Sequence, residues 1–105
     1  MAISQQARDE VIRRIVEAVD PIRIILFGSA ARGEEHEGSD VDLLVVMPDG
    51  AHRRHTAQAI YPSLLGTGVA VDVLVATPSD LERYGDSPGL VYREIMREGV
   101  ELYAA

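Results

Sequence analysis

Three apolar runs, at residues 24–27, 43–47 and 69–76, constrain this chain more than any other feature. Each has strand length, and each is too continuous to be a half-exposed strand alternating apolar with polar residues. A run such as 24–27 marks a strand covered on both faces or a short buried one. The spacing predicts strands over residues 22–27, 39–47 and 69–76, with a short fourth strand over 100–103. Helical patterns fill the intervals. Ser4 is placed to cap a helix over 4–20, whose Ala7, Val11, Ile15, Ala18 and Val19 recur on one face. Pro21 stops it. A second helix is expected over 51–65, with Pro62 kinking it or ending it near Tyr61. Thr77, Pro78 and Asp80 have the order of cap, first helical residue and first-turn acid, so a short helix should begin there and stop near Gly85. A last helix over 88–97 would bury Leu90, Val91, Ile95 and Met96. Helices alternating with a few strands predict an α+β domain, a small mixed sheet with helices packed against it.

With 105 residues the chain has room for one core and one domain, 1–105. The N-terminus begins a polar helical pattern and not a secretory signal, and the apolar run at 43–47 is far too short to span a bilayer. Cysteine is absent, which removes disulfides and thiolate metal sites. A cytoplasmic protein with no membrane partner is expected. The formal net charge is −7, and every basic residue is arginine. That negative field argues against an extended nucleic-acid surface, yet it leaves room for a nucleotide that arrives with magnesium.

Asp40 and Asp42 lie two residues apart at the mouth of the second strand, so their side chains would leave the same face. Two carboxylates that close oppose each other's ionisation, and a divalent cation between them removes the conflict. Asp72 interrupts the third apolar run, where a charge is costly unless it is paired or bound to metal. If the second and third strands are neighbours, three carboxylates converge and could hold two metal ions. Each feature has a plainer reading. An Asp-x-Asp pair alone is more often a turn or a solvated edge, and a lone mid-strand aspartate can face water from an edge strand. The Gly28-Ser29 break after the first strand has the form of a phosphate-receiving turn, with Arg32 offering a guanidinium fork. It equally fits an ordinary strand-to-helix turn with Arg32 in solvent. It is not a Walker loop, because no Gly-Lys-Ser/Thr follows.

Taken together, Gly28-Ser29-Ala30-Ala31-Arg32-Gly33 followed by Ser39-Asp40-Val41-Asp42-Leu43-Leu44-Val45 resembles the signature of the DNA polymerase beta-like nucleotidyltransferases. The interval from Ser29 to Asp40 is similar to that of the minimal, MNT-type members of prokaryotes. The likeness extends through Val71-Asp72-Val73-Leu74. It implies that Gly28 and Ser29 engage the triphosphate of the nucleotide, ATP by default. It also implies that Asp40, Asp42 and Asp72 are the catalytic residues and hold two Mg2+ ions. Asp72 would also help to activate an acceptor hydroxyl. Many MNT-type proteins are antitoxins encoded beside a HEPN-domain toxin, which makes such a toxin the expected partner and its tyrosine the expected AMP acceptor. A non-catalytic antitoxin that neutralises its partner by binding is the competing class.

The chain is short beside relatives that add helices to hold their acceptor, so the acceptor is expected to come from another protein. His36, His52 and His55 form no recognisable metal set. Arg53-Arg54 reads as a solvated helix start. Nothing in the spacing of Tyr61, Tyr84 and Tyr92 marks them as base-stacking residues.

Overall fold

The computed structural model of the protein describes residues 4–33, 40–84 and 91–105. Helix α1 (Gln5–Val19) begins at Ser4, whose hydroxyl accepts the Ala7 N–H at 3.1 Å. It ends at Asp20, which turns left-handed at φ 50° and donates its N–H to the Val16 carbonyl. Val11 and Ile15 are buried, as their spacing predicts. Ala18, expected on the same face, is exposed, because the buried stripe leans the other way, towards Ile12, Val16 and Val19.

Strands β1 (Arg23–Phe27), β2 (Val41–Val46), β3 (Val71–Ala76) and β4 (Val100–Ala104) form one mixed sheet in the order β3-β2-β1-β4. β1 runs antiparallel to β2 and β4, while β2 and β3 are parallel. A parallel neighbour requires a crossover, and helix α2 (Arg53–Ser63) lies in it. Pro62 sits inside the last turn of α2, so the helix runs past Tyr61. Its end is secured from outside: the Arg14 guanidinium donates to the carbonyls of Ser63 at 3.2 Å and Leu65 at 2.6 Å.

The apolar runs are continuous because both sheet faces are covered. Ile24, Leu26, Val41, Leu43, Val45 and Val75 pack against Val11 and Ile15 of α1 and Ile60 of α2. On the opposite face Ile25, Leu44, Val46 and Ala76 pack with Ile95 of α4 (Val91–Glu98). Leu81 of the short helix α3 (Pro78–Tyr84) joins them. α3 starts as its sequence predicts. Thr77 Oγ1 accepts the Asp80 N–H at 3.3 Å and Asp80 accepts the Thr77 N–H at 3.0 Å.

α4 departs from expectation. Its described part starts at Val91, and the expected start at Pro88, like Leu90, Gly85, Ser39, His36 and most of the loop expected at 33–38, lies outside the described residues. Val91 and Met96 are exposed, not buried. The face turned to the sheet instead carries Tyr92, Ile95 and the end of the helix at Gly99. That seat is tight. A Cβ on Gly99 would stand 2.5 Å from the Ile95 carbonyl oxygen and 2.6 Å from Ile25 Cγ2. Gly99→Ala is expected to lift α4 off β1, costing about 2 kcal/mol and lowering the Tm by about 10 °C in a thermal melt.

The outer edge of β3 is partly closed as well. The Val73 N–H donates to the Tyr61 hydroxyl at 2.9 Å, so α2 covers a group that an edge strand would otherwise present to a neighbour. Among the described residues, no helix is long and apolar enough to cross a membrane.

Candidate active site

The sheet face beneath α3 and α4 carries the acidic residues. Val41, Leu43 and Val45 point to the α1–α2 side, so Asp42 shares the other face with Leu44 and Val46. Asp42 pairs with Asp72 in the parallel β2–β3 register. Partners in adjacent strands lie roughly 4.8 Å apart, which sets the two carboxylates side by side. Asp40 immediately precedes β2, two residues from Asp42 along the chain. Asp42 is half-buried, whereas Asp40 and Asp72 are exposed.

Electrostatics at this spot are unfavourable to Asp42. Burial pushes its carboxyl above the usual carboxylate range, and the charges of Asp72 and then Asp40 push it further in the same direction. Among the described residues no arginine forms an ion pair with any of the three. A hard divalent cation taking carboxylate oxygens supplies the missing positive charge, so this donor set fits magnesium. Among the described residues, however, no three acidic or histidine side chains are gathered closely enough to hold a metal ion as they stand. The arrangement is an in-register pair with a third carboxylate nearby.

The turn after β1 abuts this pair. Phe27 is the register partner of Asp42 on the other side of β2, and the 3-10 turn Gly28–Ala30 follows it directly. Gly28 has φ +74°, a conformation that side chains disfavour. A Cβ there would also collide with Oδ2 of Asp42 and lie 3.3 Å from its Cγ. The glycine therefore lets the turn and the carboxylate touch. Ser29 sits half-buried in the middle of the turn.

Arg32 is committed in part to α4. Its Nη1 lies 3.2 Å from Glu94 Oε1 and 3.8 Å from Glu98 Oε2. This ties the glycine-serine turn to α4, and a phosphate at Arg32 would have to share or displace those carboxylates. Nothing in the sequence marks Glu94 and Glu98 as relevant. They follow Arg32 by more than sixty positions, and only the docking of α4 brings them near.

The match to the family model described as "Nucleotidyltransferase domain" extends over residues 8–102, almost the whole chain. The chain belongs to the nucleotidyltransferase domain family. No curated protein gives a match. Among solved structures, this nucleotidyltransferase domain is similar to a toxin–antitoxin crystal structure with AMP-PNP. The two are 24% identical with a TM-score of 0.62, over 92% of this chain and 73% of the other. It is also similar to a Sulfolobus solfataricus protein assigned as a nucleotidyltransferase. That pair is 21% identical with a TM-score of 0.57, over 99% of this chain and 92% of the other. At these identities the likeness establishes the fold, an α+β nucleotidyltransferase fold with a mixed four-stranded sheet.

Proposed function

We propose that residues 1–105 act as a single minimal domain in the cytoplasm, moving AMP from ATP to a hydroxyl of a partner protein. The observation that carries this reading is the Asp42–Asp72 register, with Asp40 beside it and Gly28 pressed against Asp42. Asp40, Asp42 and Asp72 would hold two magnesium ions. When bound, magnesium neutralises the carboxylates, makes the attacking hydroxyl more acidic and stabilises the departing pyrophosphate.

The chain's own residues divide the remaining work. Gly28 and Ser29 receive the triphosphate through the turn, where glycine permits close approach. Arg32, already at the end of that turn, offers a charged fork to a phosphate oxygen. The exposed Asp72 faces the incoming acceptor. Its carboxylate takes the hydroxyl proton as the acceptor oxygen bonds to the α-phosphorus and the bond to pyrophosphate breaks. The product is a phosphodiester between AMP and the acceptor.

The toxin–antitoxin neighbour with AMP-PNP supports a protein partner and an adenine nucleotide for this chain. A HEPN-type toxin with a target tyrosine is the acceptor we favour. The test is the intact mass of the protein encoded beside this chain, co-expressed with it. A gain of one or more AMP units is expected, and none with Asp72→Ala. An unmodified but tightly bound neighbour, still neutralised when all three aspartates are replaced, would favour an antitoxin acting by complex formation alone.

A further inference from the structure

We propose that the nucleobase of the bound nucleotide lies against the Tyr84–Tyr92 pair, on the apolar face of the sheet that also carries Asp42. The proposal rests on the reading that this chain takes a nucleoside triphosphate.

The apolar surface is built from the same sheet face as the carboxylates. Phe27 is Asp42's register partner, and Leu74 lies two residues beyond Asp72 on β3, roughly 6.6 Å along the strand. Phe27, Leu74, Leu81 and Tyr92 are all only partly buried, packed on the core of Ile25, Leu44, Val46, Ala76 and Ile95. A nucleotide whose α-phosphate sits at the carboxylates therefore meets apolar surface within the reach of its ribose. The two tyrosines adjoin this surface: Tyr92, in the first turn of α4, packs on the same core, and Tyr84, which closes α3, lies beside it.

Their geometry suits a flat ligand. The rings are nearly parallel, 23° apart, with centroids 6.4 Å from each other. The separation is at the wide end of ordinary offset aromatic pairs, about 4.5–7 Å, so the rings overlap only partly and each keeps π-face with no ring against it. The Arg83 guanidinium carbon stands 5.9 Å from the Tyr84 centroid, adding a cation to the same small group. Both tyrosines are half-exposed, and neither hydroxyl bonds to another described residue. A tyrosine serving only as core filler normally hides its ring and satisfies its hydroxyl. A nucleobase supplies the missing flat surface, and its ring edge can meet the tyrosine hydroxyls. Stacking of this kind tolerates any base and favours the larger purines.

Titration calorimetry with a non-hydrolysable ATP analogue and with inorganic tripolyphosphate, each with magnesium, separates the base from the phosphates. Tyr84→Ala, checked for native circular dichroism, is expected to bind the analogue roughly tenfold more weakly and tripolyphosphate as the parent does. Tyr84→Phe should stay near the parent. Because the chain has no tryptophan, Tyr84→Trp gives a clean fluorescence signal, which the analogue should quench and tripolyphosphate should not. Unchanged affinity of Tyr84→Ala for the analogue, or equal weakening for both ligands, would overturn the base site while leaving the nucleotide reading in place. No binding of either ligand to the parent chain would overturn both.

Discussion

Asp42→Asn should lower nucleotidyl transfer by a factor of about 10^3 or more while making the metal-free protein harder to melt. The two effects have one cause. Burial and the neighbouring charges of Asp72 and Asp40 raise the Asp42 pKa in the folded chain. The folded state then holds a proton that the unfolded state, with an ordinary carboxyl, has released. Stability from this group is fully present below the unfolded pKa, near the ordinary aspartate value of 3.8, and is lost as pH rises through the raised folded value. At neutral pH the folded protein carries the repulsion, and asparagine removes it. Without metal, the variant's Tm should exceed the parent's by a few degrees at pH 7, and the two should converge near pH 4. Magnesium should reverse the order by raising the parent's Tm with little effect on the variant. A variant less stable than the parent at pH 7 without metal would contradict the electrostatic account, whatever its activity.

Gly28→Ala should damage fold and function together. Alanine at φ +74° is strained, and its Cβ has no space because Asp42 Oδ2 occupies it. The turn must swing away or the carboxylate must rotate out of line with Asp72. The strain and the clash together should cost about 2 kcal/mol, or about 10 °C in Tm. Displacing the carboxylate by even an ångström should cost about 10^2 in rate. The control is Gly50, which has φ +94° but open space where a Cβ would stand. Gly50→Ala should show the strain without the loss of transfer. Equal activity losses in the two variants would mean that contact with Asp42 is not what sets Gly28 apart.

Much of the fold can be read along the chain, because its strongest signals are local. The apolar runs, the Ser4 cap and the Thr77–Asp80 reciprocal bonds each act within a few residues. α4 is harder. Val91, Ile95 and Met96 suggest one buried face, but the docked face also brings Gly99 hard against Ile25, a contact between distant parts of the chain. Pro62 is ambiguous in sequence for the same reason. Its helix end depends on Arg14, which approaches from α1.

At the candidate site, the aspartates are visible as residue types, since charges interrupt strands that otherwise carry none. Their pairing depends on β2 and β3 being parallel neighbours in a register that aligns Asp42 with Asp72. No local spacing specifies that register. The packing of Gly28 against Asp42 and the partnership of Arg32 with Glu94 and Glu98 also require the folded sheet. Tyr84 and Tyr92 are inconspicuous in sequence because their meeting requires α3 and α4 to dock on the same face.

The proposed activity requires a metal centre of Asp40, Asp42 and Asp72 serving a nucleotide held at Gly28 and Ser29. A crystal structure with manganese and a non-hydrolysable ATP analogue tests it most directly, since anomalous scattering locates the metal independently of the ligand. Manganese is expected on the three carboxylates, with the triphosphate against the Gly28–Ser29 turn. A bound nucleotide whose manganese lies away from Asp42 and Asp72 would contradict it.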